Sequence, residues 1–222
     1  MTTTASRPAF STRSLLTCAV VAAPLWASVS LVQAATREGF DLTRLPLSML
    51  SVGSLGWVQV LNFLVGGLLT VLGAIGLGRV LPGRWAARLV AVSGVGMIGA
   101  GVFTMDPADP FGGASLGHMA AGTLGFATLV AACYVLGRHF TGRKAVASYV
   151  AGTALLLGDL WAMSGGAAGS LTLAIGWITA LLWISFVAAR YRCLTLTPCQ
   201  VVDRPAWTTT ATFPTATPTP WR

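Results

Sequence analysis

Hydrophobic residues run through this chain in six long blocks, at roughly 15–35, 57–77, 89–105, 117–137, 145–163 and 171–189. Each block approaches the ~20 residues that carry a helix across a hydrocarbon core about 30 Å thick. A backbone without water has to satisfy its own hydrogen bonds, so runs of this length predict six transmembrane helices. The breaks between them differ in kind. "GRVLPGRWAAR" and "GRHFTGRK" are short and basic, and "SGGAAGS" is a turn of small residues. The first long break, "TREGFDLTRLPLSMLSVGSLGW", alternates Leu42, Leu45, Leu47, Leu50, Val52 and Leu55 with polar or small residues around Pro46. That alternation predicts a short segment lying in the membrane interface, with Trp57 at headgroup level where the second span begins. The expected organisation is a leading segment at 1–13, a six-helix domain at 14–190, and a Thr/Pro-rich tail at 191–222 too poor in apolar residues to fold alone.

Composition agrees with this reading. The chain is 55% hydrophobic and 9% charged, against about 25% charged in soluble domains. Its net charge of +8 would invite a nucleic-acid partner, but the distribution argues for topology instead. With the N-terminus cytoplasmic, Arg7, Arg13, Arg79, Arg84, Arg88, Arg138, Arg143, Lys144, Arg190, Arg192, Arg204 and Arg222 fall inside, and only Arg37 and Arg44 outside. This positive-inside bias sets both termini in the cytoplasm. The fold class expected is therefore all-α, a polytopic bundle whose partner is the lipid bilayer, with no nucleic acid. Arginine in place of lysine, with abundant alanine and glycine, points to a GC-rich bacterial genome and to the plasma membrane. Cys18 and Cys133 lie in spans, Cys193 and Cys199 in the inside tail, so no disulfide framework is expected. Arg7, Arg13 and "VQA" before Ala35 resemble a signal peptide, yet the run of about 18–20 residues is longer than a signal core. It reads as a retained span, and Thr36 onward begins outside in either case.

Two motifs dissolve on inspection. Gly94, Gly96 and Gly99 spell G-x-G-x-x-G inside a span, where a dinucleotide would need a strand before the motif. Small residues that let membrane helices approach closely explain them without a cofactor. His118 and His139 stand ~31 Å apart along one helix and cannot share a haem iron. The remaining scarce polar groups are more informative. Gln59 and Asn62 share a face of span two, Asp106 ends span three and Asp109 follows, His118 opens span four above Ala121, Gly122 and Gly125, and Asp159 lies ~21 Å from the inside end of span five. All six fall in the outer half. A carboxylate deep in the bilayer costs about 2.5–3.5 kcal/mol, so Asp159 needs a partner or water. The cluster can bind or relay protons, hold a cation, bind a polar headgroup, or simply pin the turn "MDPADPFGGASLGH" between spans three and four. One histidine with scattered carboxylates falls short of the three ligands of a zinc hydrolase, so no metal or cofactor is expected. The leading expectation is non-enzymatic transport or binding of a small molecule, ion or lipid through Asp106, Asp109, His118, Asp159, Gln59 and Asn62. A membrane enzyme acting on lipid or an envelope substrate, and a structural protein binding partners through its tail, are the alternatives.

Several stretches carry a resemblance. "GFDLTRLPLSMLSVGSLGWVQVLNF", "GVFTMDP" and "GHMAAG" resemble the bacterial membrane family called domain of unknown function 998, over roughly residues 14–190. Its best-marked parts are Phe40-Asp41-Leu42-Thr43, Pro46-Leu47-Ser48, Gly56-Trp57, Asn62-Phe63, Asp106-Pro107 and His118. Members often carry a histidine before the Pro-Leu-Ser, where this chain has Leu45, so loop one lacks that proton-active group here. The resemblance implies a multi-span bundle and no assigned activity.

Overall fold

The computed structural model describes residues 10–195. Six helices form in order: α1 (Thr12–Thr36), α2 (Gly56–Val80), α3 (Arg84–Val102), α4 (Gly113–His139), α5 (Arg143–Met163) and α6 (Gly169–Leu194). All six are long and apolar enough to cross a membrane, and no strand occurs among the described residues. The chain is thus an all-α protein with six candidate spans. Most of the helices outrun their apolar blocks at one or both ends, although α3 stops short of the end of its own. α6 accordingly includes Tyr191–Leu194, the first residues of the expected tail. The rest of that tail, with Cys199, Arg204 and Arg222, lies outside the described residues, as does Arg7. α3 stops at Val102, and Phe103 caps it, so Asp106 belongs to the following hairpin and not to the span.

Consecutive helices pack side by side, and α1 also packs on α6, which closes the six into a ring with α4 touching α6. Neighbours run antiparallel: along α2, Gly76 meets Leu15, Gly73 meets Ala19 and Gly66 meets Trp26. Loops 37–55, 103–112 and 164–168 therefore share one end, called here the loop-one end. Glycine sets how closely the helices approach. A Cβ on Gly67 would stand 2.7 Å from the Gly94 carbonyl oxygen, and one on Gly94 would stand 2.8 Å from that of Gly67. Gly96 meets α4 in the same way, 2.7 Å from the Ala121 carbonyl oxygen. Two positions of the G-x-G-x-x-G string thus serve two different helix contacts, as close packing in a membrane requires.

Loop one packs on the ends of the first two helices. It forms a 3₁₀ turn, η1 (Leu47–Ser51), with Leu47 and Leu50 buried against α1 and α2. Protein covers Leu47 and Leu50 of the alternating set, while Leu55 stays exposed. "GW" also means different things at its two occurrences. Trp57 is exposed, whereas Trp177 is buried and packs edge-on against Phe126 at 4.8 Å and Trp26 at 6.1 Å.

Candidate functional site

Ser30 and Gln33 on α1 face Gln59 and Asn62 on α2, each pair one turn apart on its own helix. Gln59 and Ser30 are fully buried and Asn62 nearly so. Gln59 Oε1 accepts from Gln33 Nε2 at 2.8 Å and from Ser30 Oγ at 3.3 Å. Gln59 Nε2 donates to Ser30 Oγ at 3.0 Å, and Asn62 Nδ2 donates to Ser30 Oγ and to the Trp26 carbonyl oxygen, both at 3.0 Å. The seam is neutral throughout. It joins two helices at a depth where Ser30, Gln59 and Asn62 are buried and would be costly without partners.

The hairpin between α3 and α4 is held differently. His118 is buried, and its Nδ1 lies 2.9 Å from the Ala100 carbonyl oxygen and 2.8 Å from that of Phe103. Both partners are acceptors, so Nδ1 carries the hydrogen. The ring thereby closes the C-terminus of α3, whose last carbonyls have no helical partner. Ser115 Oγ accepts from the Asp106 backbone N–H at 3.0 Å and donates to the Asp109 carbonyl oxygen at 2.9 Å. The Asp106 carboxylate accepts from the Ala108 N–H at 2.9 Å, an Asx turn, and both Asp106 and Asp109 are exposed.

The six expected residues thus occupy three places. Gln59 and Asn62 meet in the α1–α2 seam, and Asp106, Asp109 and His118 share the hairpin. Asp159 is half-buried one turn before the end of α5 and has no hydrogen-bond or ion-pair partner among the described residues. A row of rings links the first two places: His118 packs edge-on against Phe63 at 6.2 Å, and Phe63 against Trp26 at 5.8 Å. Of the expected small-residue face on α4, Ala121 and Gly125 meet α3, but Gly122 meets only its own helix. Among the described residues, no three His, Cys, Asp or Glu side chains gather as a metal site would require.

Ser30, Gln33, Trp26 and Arg37 escaped the sequence reading. The first two repeat the i, i+3 polar spacing of Gln59 and Asn62, which is the signal that would have paired the helices. Arg37 counted there only as an outside charge. Its guanidinium donates to the carbonyl oxygen of Leu50 at 2.8 Å and to that of Val52, tying loop one down. On the same loop, Arg44 pairs with Asp41 at 3.4 Å in solvent. The Thr43 hydroxyl, at 2.7 Å, and the Thr43 N–H, at 2.9 Å, donate to the Asp41 carboxylate and hold it below the ordinary carboxylate value.

The family model described as "Protein of unknown function (DUF998)" matches residues 20–190. The match covers most of the chain, which therefore belongs to that family. No curated protein and no solved structure matches it.

Proposed function

We propose that this member of the DUF998 family is a non-catalytic protein of a bacterial plasma membrane that binds a small molecule, ion or lipid at its outward-facing loop-one end. Gln59, Asn62 and His118 are the buried members of the site, and Asp106, Asp109 and Asp159 the outlying polar groups. The α1–α2 seam carries the reading. These helices are already joined by close backbone approach at Gly73 and Gly76, so association does not require three amides and a hydroxyl at the other end. Polar side chains inside a membrane bundle are costly and collect where a bundle does work. A thermal-shift screen of the purified full chain tests this, using neutral, anionic, cationic and lipid-headgroup compounds. Some compound should stabilise the parent protein and lose its effect in Gln59→Leu. Equal stabilisation of both proteins, or of neither, would sink the reading.

A second reading is favoured for the hairpin by one observation. Ser115 and His118 spend their hydrogen bonds on backbone groups of the α3–α4 turn, which supports pinning over ligand contact there. Under it, Asp106→Asn leaves ligand stabilisation unchanged, because an asparagine side chain also accepts from the Ala108 N–H.

A further inference from the structure

The polar groups of the α1–α2 seam carry no formal charge. Ser30, Gln33, Gln59 and Asn62 bond to one another, but the indole of their neighbour Trp26 bonds to none of them. Its ring is buried, and its Nε1 finds no acceptor among the described residues. The Trp26 carbonyl oxygen takes a bond from Asn62. Its Cδ1, the atom beside Nε1, lies 3.0 Å from where a Cβ on Gly66 would be, one turn along α2 from Asn62. The unpaired indole N–H therefore lies about one helical turn from the amide seam, on the side away from loop one. A buried indole N–H normally has a partner, and only an acceptor suits it. Phe63 and Trp177 flank the ring and supply apolar walls. No acid or base belongs to the seam, and the nearby cation Arg37 is committed to two carbonyl oxygens of loop one. A charged guest would have no counter-ion.

Loop one supplies the way in. Residues 40–52 cross the ends of α1 and α2, seated by Leu47 and Leu50. This strap begins and ends at glycines in the left-handed region, Gly39 at φ +75° and Gly53 at φ +82°, where other residues would be strained. The Arg37 guanidinium latches its second half.

We infer that Ser30, Gln33, Gln59, Asn62 and Trp26 form a site for an uncharged ligand bearing a hydrogen-bond acceptor oxygen, entered by displacing the 40–52 strap. The assignment rests on the binding role proposed above and names the ligand class for that site. The amides redirect their hydrogens to the guest, the indole donates to its oxygen, and the aromatic rings cover its apolar part.

The test uses the full chain in lipid vesicles, with Cys18, Cys133, Cys193 and Cys199 replaced by alanine and Ser30→Cys introduced. Asn62→Cys serves as the second reporter should the first fail to fold. Reaction rates are compared for neutral methyl methanethiosulfonate and its anionic sulfonatoethyl and cationic trimethylammonioethyl counterparts, which share one chemistry. The neutral reagent should react at least about tenfold faster than either ion, because the site gives a charge no partner. Arg37→Ala should accelerate the neutral reagent by about tenfold, as expected when a charge-assisted latch is removed. Equal rates for the three reagents would overturn the neutral-ligand assignment. No reaction in any background, or a rate indifferent to Arg37→Ala, would overturn the strap as the entrance. Thermal stabilisation by a charged compound that Gln59→Leu abolishes would sink this ligand class while leaving the binding role intact.

Discussion

Between α1 and α2, polar side chains bond to polar side chains of the facing helix, while in the 103–118 hairpin they bond to backbone groups of their own turn and of the preceding helix end. The seam holds no ionisable group and is buried. The hairpin holds two aspartates and a histidine, and both aspartates are exposed. Rarity of charge in an apolar chain draws attention to the hairpin, yet its carboxylates stand in water, where holding a charge is cheap. The amides look unremarkable in sequence but occupy the position where a polar group has to be partnered. In a bilayer, partner and depth distinguish a site better than ionisability does.

Breaking the seam should have the larger consequence. Gln59→Leu removes the acceptor of Gln33 and both bonds between Ser30 and Gln59, leaving Ser30 only its bond from Asn62. Membrane interhelical bonds range from about 0.6 kcal/mol on average to ~1.7 at most, and buried orphans raise the cost, so a loss of about 1–2 kcal/mol is expected in reversible unfolding in detergent. A loss no greater than that of an exposed substitution would remove the contrast between the regions. In the hairpin, His118→Ala frees the Ala100 and Phe103 carbonyl oxygens near the bundle end, where water can replace the imidazole. The same measurement should register about 1 kcal/mol, with hydrogen exchange rising in the last turn of α3 and not in α1. Exchange spreading to α1 would mean that the ring contacts through Phe63 tie the two places into one unit. The smallest effect belongs to Asp41 in loop one, whose side chain is 49% exposed. The Thr43 bonds hold its carboxyl below the ordinary value of 3.8. A depressed folded value means that the turn's contribution is complete above that value and is lost as pH falls through the lowered one. Thr43 amide exchange should therefore accelerate only in that acidic window, and Asp41→Asn should flatten the change.

The six spans were legible because an apolar run is a property of the chain in one dimension. The helices follow the six blocks, with ends displaced by a few residues where polar side chains still reach water. The glycine string in α3 was read correctly as packing, since a motif that needs a strand cannot work inside a span. The hairpin was placed correctly as the α3–α4 turn, although Asp106 sits past the helix and not at its end. What stayed hidden was pairing. Gln59 and Asn62 were grouped with Asp106, His118 and Asp159 because all lie at one depth, whereas bonding also depends on which way each helix is turned. Loop one's alternating leucines did not show that Leu47 and Leu50 pack on α1 and α2, because alternation does not say which neighbour covers them.

The sequence by itself therefore determined how many helices cross, how far each extends, and which family the chain belongs to, because hydrophobic length and local motifs need no knowledge of neighbours. Tertiary structure alone decided that α1 meets α2 through Ser30, Gln33, Gln59 and Asn62, that the Trp26 indole one turn away has no acceptor among the described residues, and that Arg37 fastens a glycine-flanked strap across the top. Those outcomes depend on the rotation of each helix about its axis and on the closure of the ring of six. Glycine contacts, among them Gly67, Gly73, Gly94 and Gly96, help set both by permitting close backbone approach at those faces.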